Sequence, residues 1–303
     1  FIVNILWKNE VKDFRNHVHS CQIISYINNR IFMDLQLINK TAVITGGDSG
    51  IGLATAKKLA QEGANIVLTD KTVDELKNAA ADVQEYLQEE KRIVEITTDV
   101  RKNEEVVLLA QKVEELFGGA DIIVHCAGAR GAAGDFLSLT DEDWMETIQV
   151  DLMGAVRICR AFLPQLLKKQ KGRIVLISSE NALQPYAIES PYNACKAGII
   201  NLTKCLSKAY SPKGVMINCV SPAFVATPMT DAMMNQKADE NSISKDEAIQ
   251  QFLKEERSGI VVDRRGRPEE VASVIVFLCS ELASYVTGSN YRIDGGSVST
   301  AFS

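Results

Sequence analysis

Thr41-Ala42-Val43-Ile44-Thr45-Gly46-Gly47-Asp48-Ser49-Gly50-Ile51-Gly52 is the stretch that decides the fold. Its first five residues form a short apolar, β-branched run, the mark of a buried strand. Glycines follow with the spacing Gly-x-x-x-Gly-x-Gly, and Leu53, Ala56, Leu59 and Ala60 then recur at helical intervals. Glycine allows a tight turn and lets backbone N–H groups approach an anion, while the start of a helix adds partial positive charge. Between a strand and a helix, Gly46, Asp48, Ser49, Gly50, Ile51 and Gly52 therefore read as a cradle for a pyrophosphate. A plain turn is the alternative for this stretch taken alone.

Outward from it, apolar runs alternate with helical text. Strands are expected at Asn65–Thr69, Arg92–Thr97, Asp121–His125, Arg173–Ile177, Met216–Val220 and Tyr291–Ile293. Helical patterns are expected over 72–90, 103–117, one long stretch of 141–169, 191–210 and 268–282. Short apolar strands separated by helices mean parallel strands joined by crossovers, hence an α/β doubly wound sheet of about seven strands with helices on both faces. No linker or change of composition interrupts 33–303, which reads as one domain. Residues 1–32 read differently: charges at Lys8, Glu10, Lys12, Asp13 and Arg15 break any signal-peptide core, and Met33 is the expected natural start, with 1–32 a non-native or poorly ordered extension. The polar, Met-rich and then charge-rich insertion 223–262 follows the sixth strand, on the edge where ligands bind in such sheets, and is expected to form a helical lid; a surface hairpin is the alternative.

Composition narrows the possibilities. Hydrophobic residues at 46% and charged residues at 24% argue against extensive disorder. A net charge of −6 makes binding to nucleic acid through bulk charge unlikely on physical grounds. No apolar run reaches the ~18 residues of a membrane span. Seven cysteines, none in a Cys-x-x-Cys pair, read as reduced thiols of a cytoplasmic protein, and three histidines leave little for a metal site, so none is expected.

Asp70 ends the second strand. A carboxylate there accepts hydrogen bonds from an adenosine ribose 2′-hydroxyl and repels a 2′-phosphate, which favours NAD over NADP. Lys71 beside it pulls the other way, whereas Ser49 supplies no further cation. Asp99 and Val100, after the third strand, are placed to touch the adenine edge, although an Asp after a strand, taken alone, is more often a helix cap. Tyr192 and Lys196 stand one helical turn apart on one face. A free phenol titrates near ~10, and a neighbouring ammonium lowers that value, fitting Tyr192 to exchange a proton with a hydroxyl or carbonyl. Ser179 would hold the same oxygen.

These pieces together resemble the short-chain dehydrogenase/reductase family over residues 33–303: TGGDSGIG at 45–52, Asp70, Asp99-Val100, Cys126-Ala127-Gly128, Ser179, Tyr192 with Lys196, NCVSPAFVATP at 218–228, GRPEEVA at 266–272 and Asp294-Gly295-Gly296. The resemblance implies a Rossmann-type fold, commonly a homotetramer, and hydride transfer between NAD(P)(H) and an alcohol or carbonyl. It makes Tyr192 the proton donor or acceptor, gives Lys196 the nicotinamide ribose and has Ser179 orient the substrate. It also places Cys126, Ala127, Gly128, Pro222, Val225 and Thr227 at the cofactor, with Thr227 near the carboxamide.

Three departures stand out. Cys126 replaces the usual Asn, and Ala223 the usual Gly. Asp151 occupies the position of an often catalytic Asn, where it could hold a water or pair with Lys196 and damp its effect on Tyr192. Asn181, Gln184 and Met229 are the expected substrate contacts, with Glu180 and Glu189 as further polar groups, suiting a sugar, polyol or 3-oxoacyl compound. Met229, Met233 and Met234 read equally as pocket lining or as the buried stripe of the lid. His125 reads as a satisfied core histidine and Cys195 as a filler. The alternative function is a non-catalytic dinucleotide-binding regulator or scaffold, for which Asp151 is the only support; an epimerase or dehydratase on the same scaffold lacks its usual glycine spacing here.

Overall fold

The computed structural model describes residues 33–301, and all that follows concerns the unit beginning at Gln36. The expectations for residues 1–32 lie outside the described residues. Seven strands, β1 (Thr41–Thr45), β2 (Asn65–Thr69), β3 (Ile93–Glu95), β4 (Ile122–His125), β5 (Gly172–Ile177), β6 (Val215–Pro222) and β7 (Asn290–Ile293), form one sheet in the order β3-β2-β1-β4-β5-β6-β7. All pairings are parallel. The helices between them are α1 (Gly50–Gln61), α2 (Val73–Gln84), α3 (Asn103–Phe117), α4 (Asp141–Asp151), α5 (Met153–Lys168), α6 (Ser190–Tyr210), α7 (Pro228–Asn241), α8 (Lys245–Glu255) and α9 (Pro268–Cys279).

Register explains why the strands are apolar throughout. Val67, Val43, Ile123, Ile174 and Ile217 lie side by side across five strands, all at 0% exposure. They pack against Val106 and Leu109 of α3 and Ile158 and Phe162 of α5. Their sequence neighbours Ile44, Leu68 and Val124 point to the opposite face and are equally buried, so helices cover both faces. Each such side chain stabilises the fold by about 1.5–3 kcal/mol. Thr45 pairs with Thr69 on one side and His125 on the other, so β1, β2 and β4 end level. Between β1 and β4 the strand order reverses, and the loops leaving them part to open a crevice.

Two expectations are corrected. The stretch 141–169 is two helices, not one, with Leu152 the hinge between α4 and α5. Two residues on, Gly154 lies so close to Val100 that an added Cβ would sit 3.0 Å from its methyl. The pattern read as helix to residue 90 stops at Gln84, and Tyr86 and Leu87 continue in hydrogen-bonded turns.

The insertion after β6 is a helical hairpin. A capping box of Thr227 and Thr230 starts α7, Ser242 ends it with φ +55°, and a second box of Ser244 and Glu247 starts α8. Phe224, Met234, Phe252, Leu253 and Ile260 give the hairpin its own small core. Its two ends are pinched together: Ala226 N–H donates to Gly266 O and Gly266 N–H to Phe224 O, each at 2.9 Å.

Candidate active site

The glycine turn is built for close approach. A Cβ on Gly52 would lie 1.9 Å from the carbonyl oxygen of Gly46, and one on Gly46 (φ +62°) 2.7 Å from the amide nitrogen of Ala127. The first turn of α1 holds no acidic side chain and Ser49 makes no side-chain cap bond. Its leading amides are thus available to an anion, which is what a pyrophosphate requires. A cavity of about 340 Å³ runs from this turn to Tyr192. Gly46, Asp48, Ser49, Gly50, Ile51, Gly52, Asp70, Cys126, Ala127, Gly128, Pro222, Val225 and Thr227 all line it, as do Asp151, Ser179, Lys196 and Met229. The residues present therefore fit a dinucleotide.

A second cavity shares Asp70 and Gly128 with the first and adds Asp99, Val100 and Arg101. Asp99 does line it, but its carboxylate is engaged: Arg101 Nη2 donates at 2.7 Å and its Nε to both oxygens at 3.0 Å, which holds the acid below its usual range. Burial, then the nearby Asp48 carboxylate, raises Asp70 to about 6. Burial and Glu75 raise Asp48 as well. Three carboxylates thus surround the end of β2.

The reacting groups come from three elements. Ser179 caps the short 3₁₀ turn Glu180–Ala182 after β5, Tyr192 and Lys196 lie in the first turns of α6, and Asp151 closes α4. Ser178 Oγ donates to the Lys196 carbonyl at 2.7 Å, tying α6 to the end of β5. The Lys196 ammonium donates to Ile177 O at 3.2 Å, lies 2.9 Å from Asp151 Oδ1 and sits 5.3 Å from the centroid of the Tyr192 ring. The Ala129 N–H donates to both Asp151 oxygens at 3.3–3.4 Å. Gly128 makes room: a Cβ there would be 2.9 Å from Asp151 Oδ1 and 3.3 Å from Lys196 Nζ.

Charge balance in this cluster corrects one expectation. Burial pushes the Tyr192 phenol above 10, and Asp151 adds to that; Lys196 and a hydrogen bond with Ser179 pull it down without prevailing. Lys196 is itself raised: burial works against its charge, but Asp151 and Tyr192 together, with a smaller push from Cys195, outweigh it. Of the alternatives for Asp151, pairing with Lys196 is the one present. His125 is only half satisfied, its Nδ1 2.8 Å from Thr45 Oγ1 and its buried Nε2 without a partner. Burial lowers it to about 3, so the ring stays neutral. Cys195 is buried and its thiol is raised to about 11, chiefly by burial, which leaves it inert.

Beyond Tyr192 and Ser179 lies a pocket with two unlike walls. Arg130, Glu180, Asn181, Glu189 and Arg257 form one, and Ala223, Phe224, Met229, Met233 and Phe252 the other. Asn181 and Met229 are where the sequence put them. Gln184 is not: its amide turns to the Tyr186 hydroxyl at 3.4 Å and Ser297 Oγ at 3.5 Å, and it lines none of these cavities. The methionines divide, with Met229 and Met233 in the pocket and Met234 in the hairpin core. Arg257 went unread in the sequence. It is 9% exposed, stacks 3.4 Å from the Tyr186 ring centroid and stands 3.5 Å and 3.6 Å from Glu180 and Glu189. Nothing in Lys254-Glu255-Glu256-Arg257 distinguishes it from solvated charge, because its partners are remote in sequence.

A parallel doubly wound sheet with a dinucleotide cradle leading to a Tyr–Lys–Ser cluster defines a nicotinamide-dependent oxidoreductase. A family model described as Enoyl-(Acyl carrier protein) reductase matches residues 46–298. The chain belongs to the short-chain dehydrogenase/reductase family. It is 34% identical to the 3-oxoacyl-(acyl-carrier-protein) reductase of Aquifex aeolicus over 87% of this chain and 99% of that one. It is 31% identical to rabbit (Oryctolagus cuniculus) dehydrogenase/reductase SDR family member 4, over 87% and 95%. Among solved structures, L-sorbose reductase from Gluconobacter frateurii, complexed with NADPH and L-sorbose, superposes with a TM-score of 0.83 at 35% identity, covering 88% of this chain and all (100%) of that one. The protein is accordingly an enzyme that transfers hydride between a nicotinamide cofactor and a small alcohol or carbonyl compound. The non-catalytic alternative finds no support in these likenesses. No described helix is long and apolar enough to cross a membrane.

Proposed function

We propose that the enzyme interconverts a hydroxylated ketone and its secondary alcohol, with Tyr192 as acid and base. The observation that carries this is the convergence of Ser179, Tyr192 and Lys196 on one cavity that begins at the glycine turn. A bound nicotinamide supplies or takes the hydride. In reduction, Tyr192 gives its phenolic proton to the carbonyl oxygen, and Ser179 holds that oxygen. Lys196 stabilises the phenolate left behind, and Asp151 with the Ile177 carbonyl keeps the ammonium in place. Replacing Tyr192 by Phe is expected to lower turnover about 10²–10⁴-fold while NADH binding, followed by fluorescence, persists. Full turnover in that variant would overturn the assignment. A panel of ketoses, hydroxyketones and 3-oxoacyl thioesters identifies the substrate; the charged wall of Glu180, Glu189 and Arg257 supports the hydroxylated members.

NAD is the proposed cofactor. Asp70, with the Asp48 and Glu75 carboxylates nearby and Lys71 as the cation beside it, supports this reading, because three carboxylates at this end of the cavity oppose a 2′-phosphate. The sorbose reductase carries NADPH. Comparing kcat/KM with NADH and NADPH decides between them, and a clear preference for NADPH would reverse this reading. Self-association as a homotetramer belongs to the same proposal, supported by the exposed apolar side chains Leu108, Leu116 and Met145 and tested by light scattering. So does a cytoplasmic location, which the free thiols of the six described cysteines support.

A further inference from the structure

We propose that Glu189 is a positioning residue that acts through Asn181 to hold the Ser179 hydroxyl oxygen in its working position. The inference rests on the reading above, in which Ser179 holds the reacting oxygen. Asn181 Nδ2 donates to Glu189 Oε2 at 2.8 Å and to Asn193 Oδ1 at 2.8 Å. Both partners are oxygens, and neither has a proton to offer on that side. Asn193 is itself fixed, because its amide nitrogen donates to the Tyr186 carbonyl at 2.8 Å. Two acceptors on one side leave the Asn181 amide a single orientation, with its NH₂ toward Glu189 and its oxygen toward Ser179.

The serine is then gripped twice. Ser179 Oγ donates to Asn181 Oδ1 at 3.1 Å and accepts from the Asn181 backbone N–H at 3.2 Å. One lone pair is thereby committed and the oxygen is fixed in place; the hydroxyl proton rests against Asn181 Oδ1 and turns to the reacting oxygen when a ketone binds, since a carbonyl oxygen only accepts. Ser179, Asn181 and Glu189 are each 6–7% exposed, so water does not compete for these bonds. Glu189 is anchored in turn by Arg130 at 3.4 Å and by Arg257 at 3.6 Å, the latter just beyond α8 of the hairpin. A hydroxyl oxygen fixed in this way needs only the rotation of one O–H bond when the transition state forms, and that advantage appears in kcat more than in KM.

Glu189→Gln keeps the shape of the side chain but offers the relay either an oxygen or an NH₂, and faces the two guanidiniums with a neutral amide. With the best ketone of the panel, it is expected to lower kcat about tenfold and leave KM within about twofold. Asn181→Leu, which cuts the relay at its centre, is expected to give the same pattern with an unchanged thermal melt. The decisive measurement is a cycle with Ser179→Ala. If Glu189 works through the serine, adding Glu189→Gln to Ser179→Ala lowers kcat no further. An equal loss in both backgrounds, an effect on KM alone, or wild-type kcat in both relay variants would overturn the inference. Wild-type kcat in Ser179→Ala, or no turnover with any ketone, would instead remove the reading beneath it.

Discussion

The ammonium of Lys196 and the carboxylate of Asp151 stand 2.9 Å apart, with side-chain exposures of 6% and 0%. Opposite unit charges at this distance largely cancel for a third group a few ångströms away. Tyr192 is that third group. The lysine is close enough to acidify the phenol, yet its partner opposes it and burial decides the outcome, so the phenol is raised. Burial, with Asp151 blunting the ammonium, therefore favours the protonated phenol, the form that donates a proton to a ketone.

Asp151→Asn removes one influence that raises Tyr192 and leaves Lys196 unopposed. The phenol is expected to titrate lower than in the wild type. Alcohol oxidation needs the phenolate, so its pH–rate profile shifts to lower pH, and ketone reduction loses activity at a correspondingly lower pH. Coincident profiles for wild type and variant would show that the carboxylate has no hold on the phenol.

Asp151→Ala is a different perturbation. It leaves a buried ammonium without its counter-charge, which costs about 3–5 kcal/mol when one partner of a buried pair is removed. The sign with pH follows from Lys196: its value is raised, so the pair's contribution is fully present below the ordinary lysine range and fades as pH rises through the folded-state value. Urea unfolding at pH 7 measures the loss, and a stability within 1 kcal/mol of wild type, on the scale of an exposed pair, would contradict it.

Asp70 makes cofactor choice depend on pH. Burial and Asp48 raise it from 3.8 to about 6. A raised carboxylate stabilises the fold in its protonated form, an effect complete below 3.8 and lost as pH rises through 6. Above that value the charge is present and repels a 2′-phosphate. The ratio of kcat/KM for NADPH over NADH is expected to climb as pH falls from about 7.5 to about 5.5. In Asp70→Asn the ratio should be higher throughout and keep only the slope due to the phosphate itself. Equal slopes in the two proteins would show that Asp70 does not discriminate.

Gly52→Ala tests the cradle. The new methyl would fall 1.9 Å from the Gly46 oxygen, an overlap that only backbone movement relieves. NADH binding should weaken at least about tenfold, since the amides that face the pyrophosphate shift with the turn. Unaltered affinity would mean that the turn does not hold the phosphates.

The five central strands were legible because they are buried on both faces, and such strands are written as largely apolar runs. Ser179, Tyr192 and Lys196 were legible because one strand end and one helix start carry all three. Arg257 and Arg130 were not, because a charge buried against distant partners is written in the same letters as a charge in water. Gln184 shows the reverse error: it lies on the right loop, but Ser297, 113 residues away, turns its amide from the pocket. The one long helix over 141–169 divides at Leu152, whose φ of −108° departs from the helical value, because side-chain periodicity continues through a backbone irregularity that it does not record.

The pinch between Val225 and Gly266 has an evolutionary corollary. Everything from Thr227 to Arg265 hangs from one backbone clasp, so the length of the excursion can change while the clasp keeps its ends together. Met229, Met233, Phe252 and Arg257 all belong to that excursion, whereas Ser179, Tyr192 and Lys196 do not. Selectivity can thus drift with this excursion while Tyr192 and Lys196 keep their geometry, so long as Arg257 still anchors Glu189, which suits this scaffold to acquiring new substrates by local insertion and deletion.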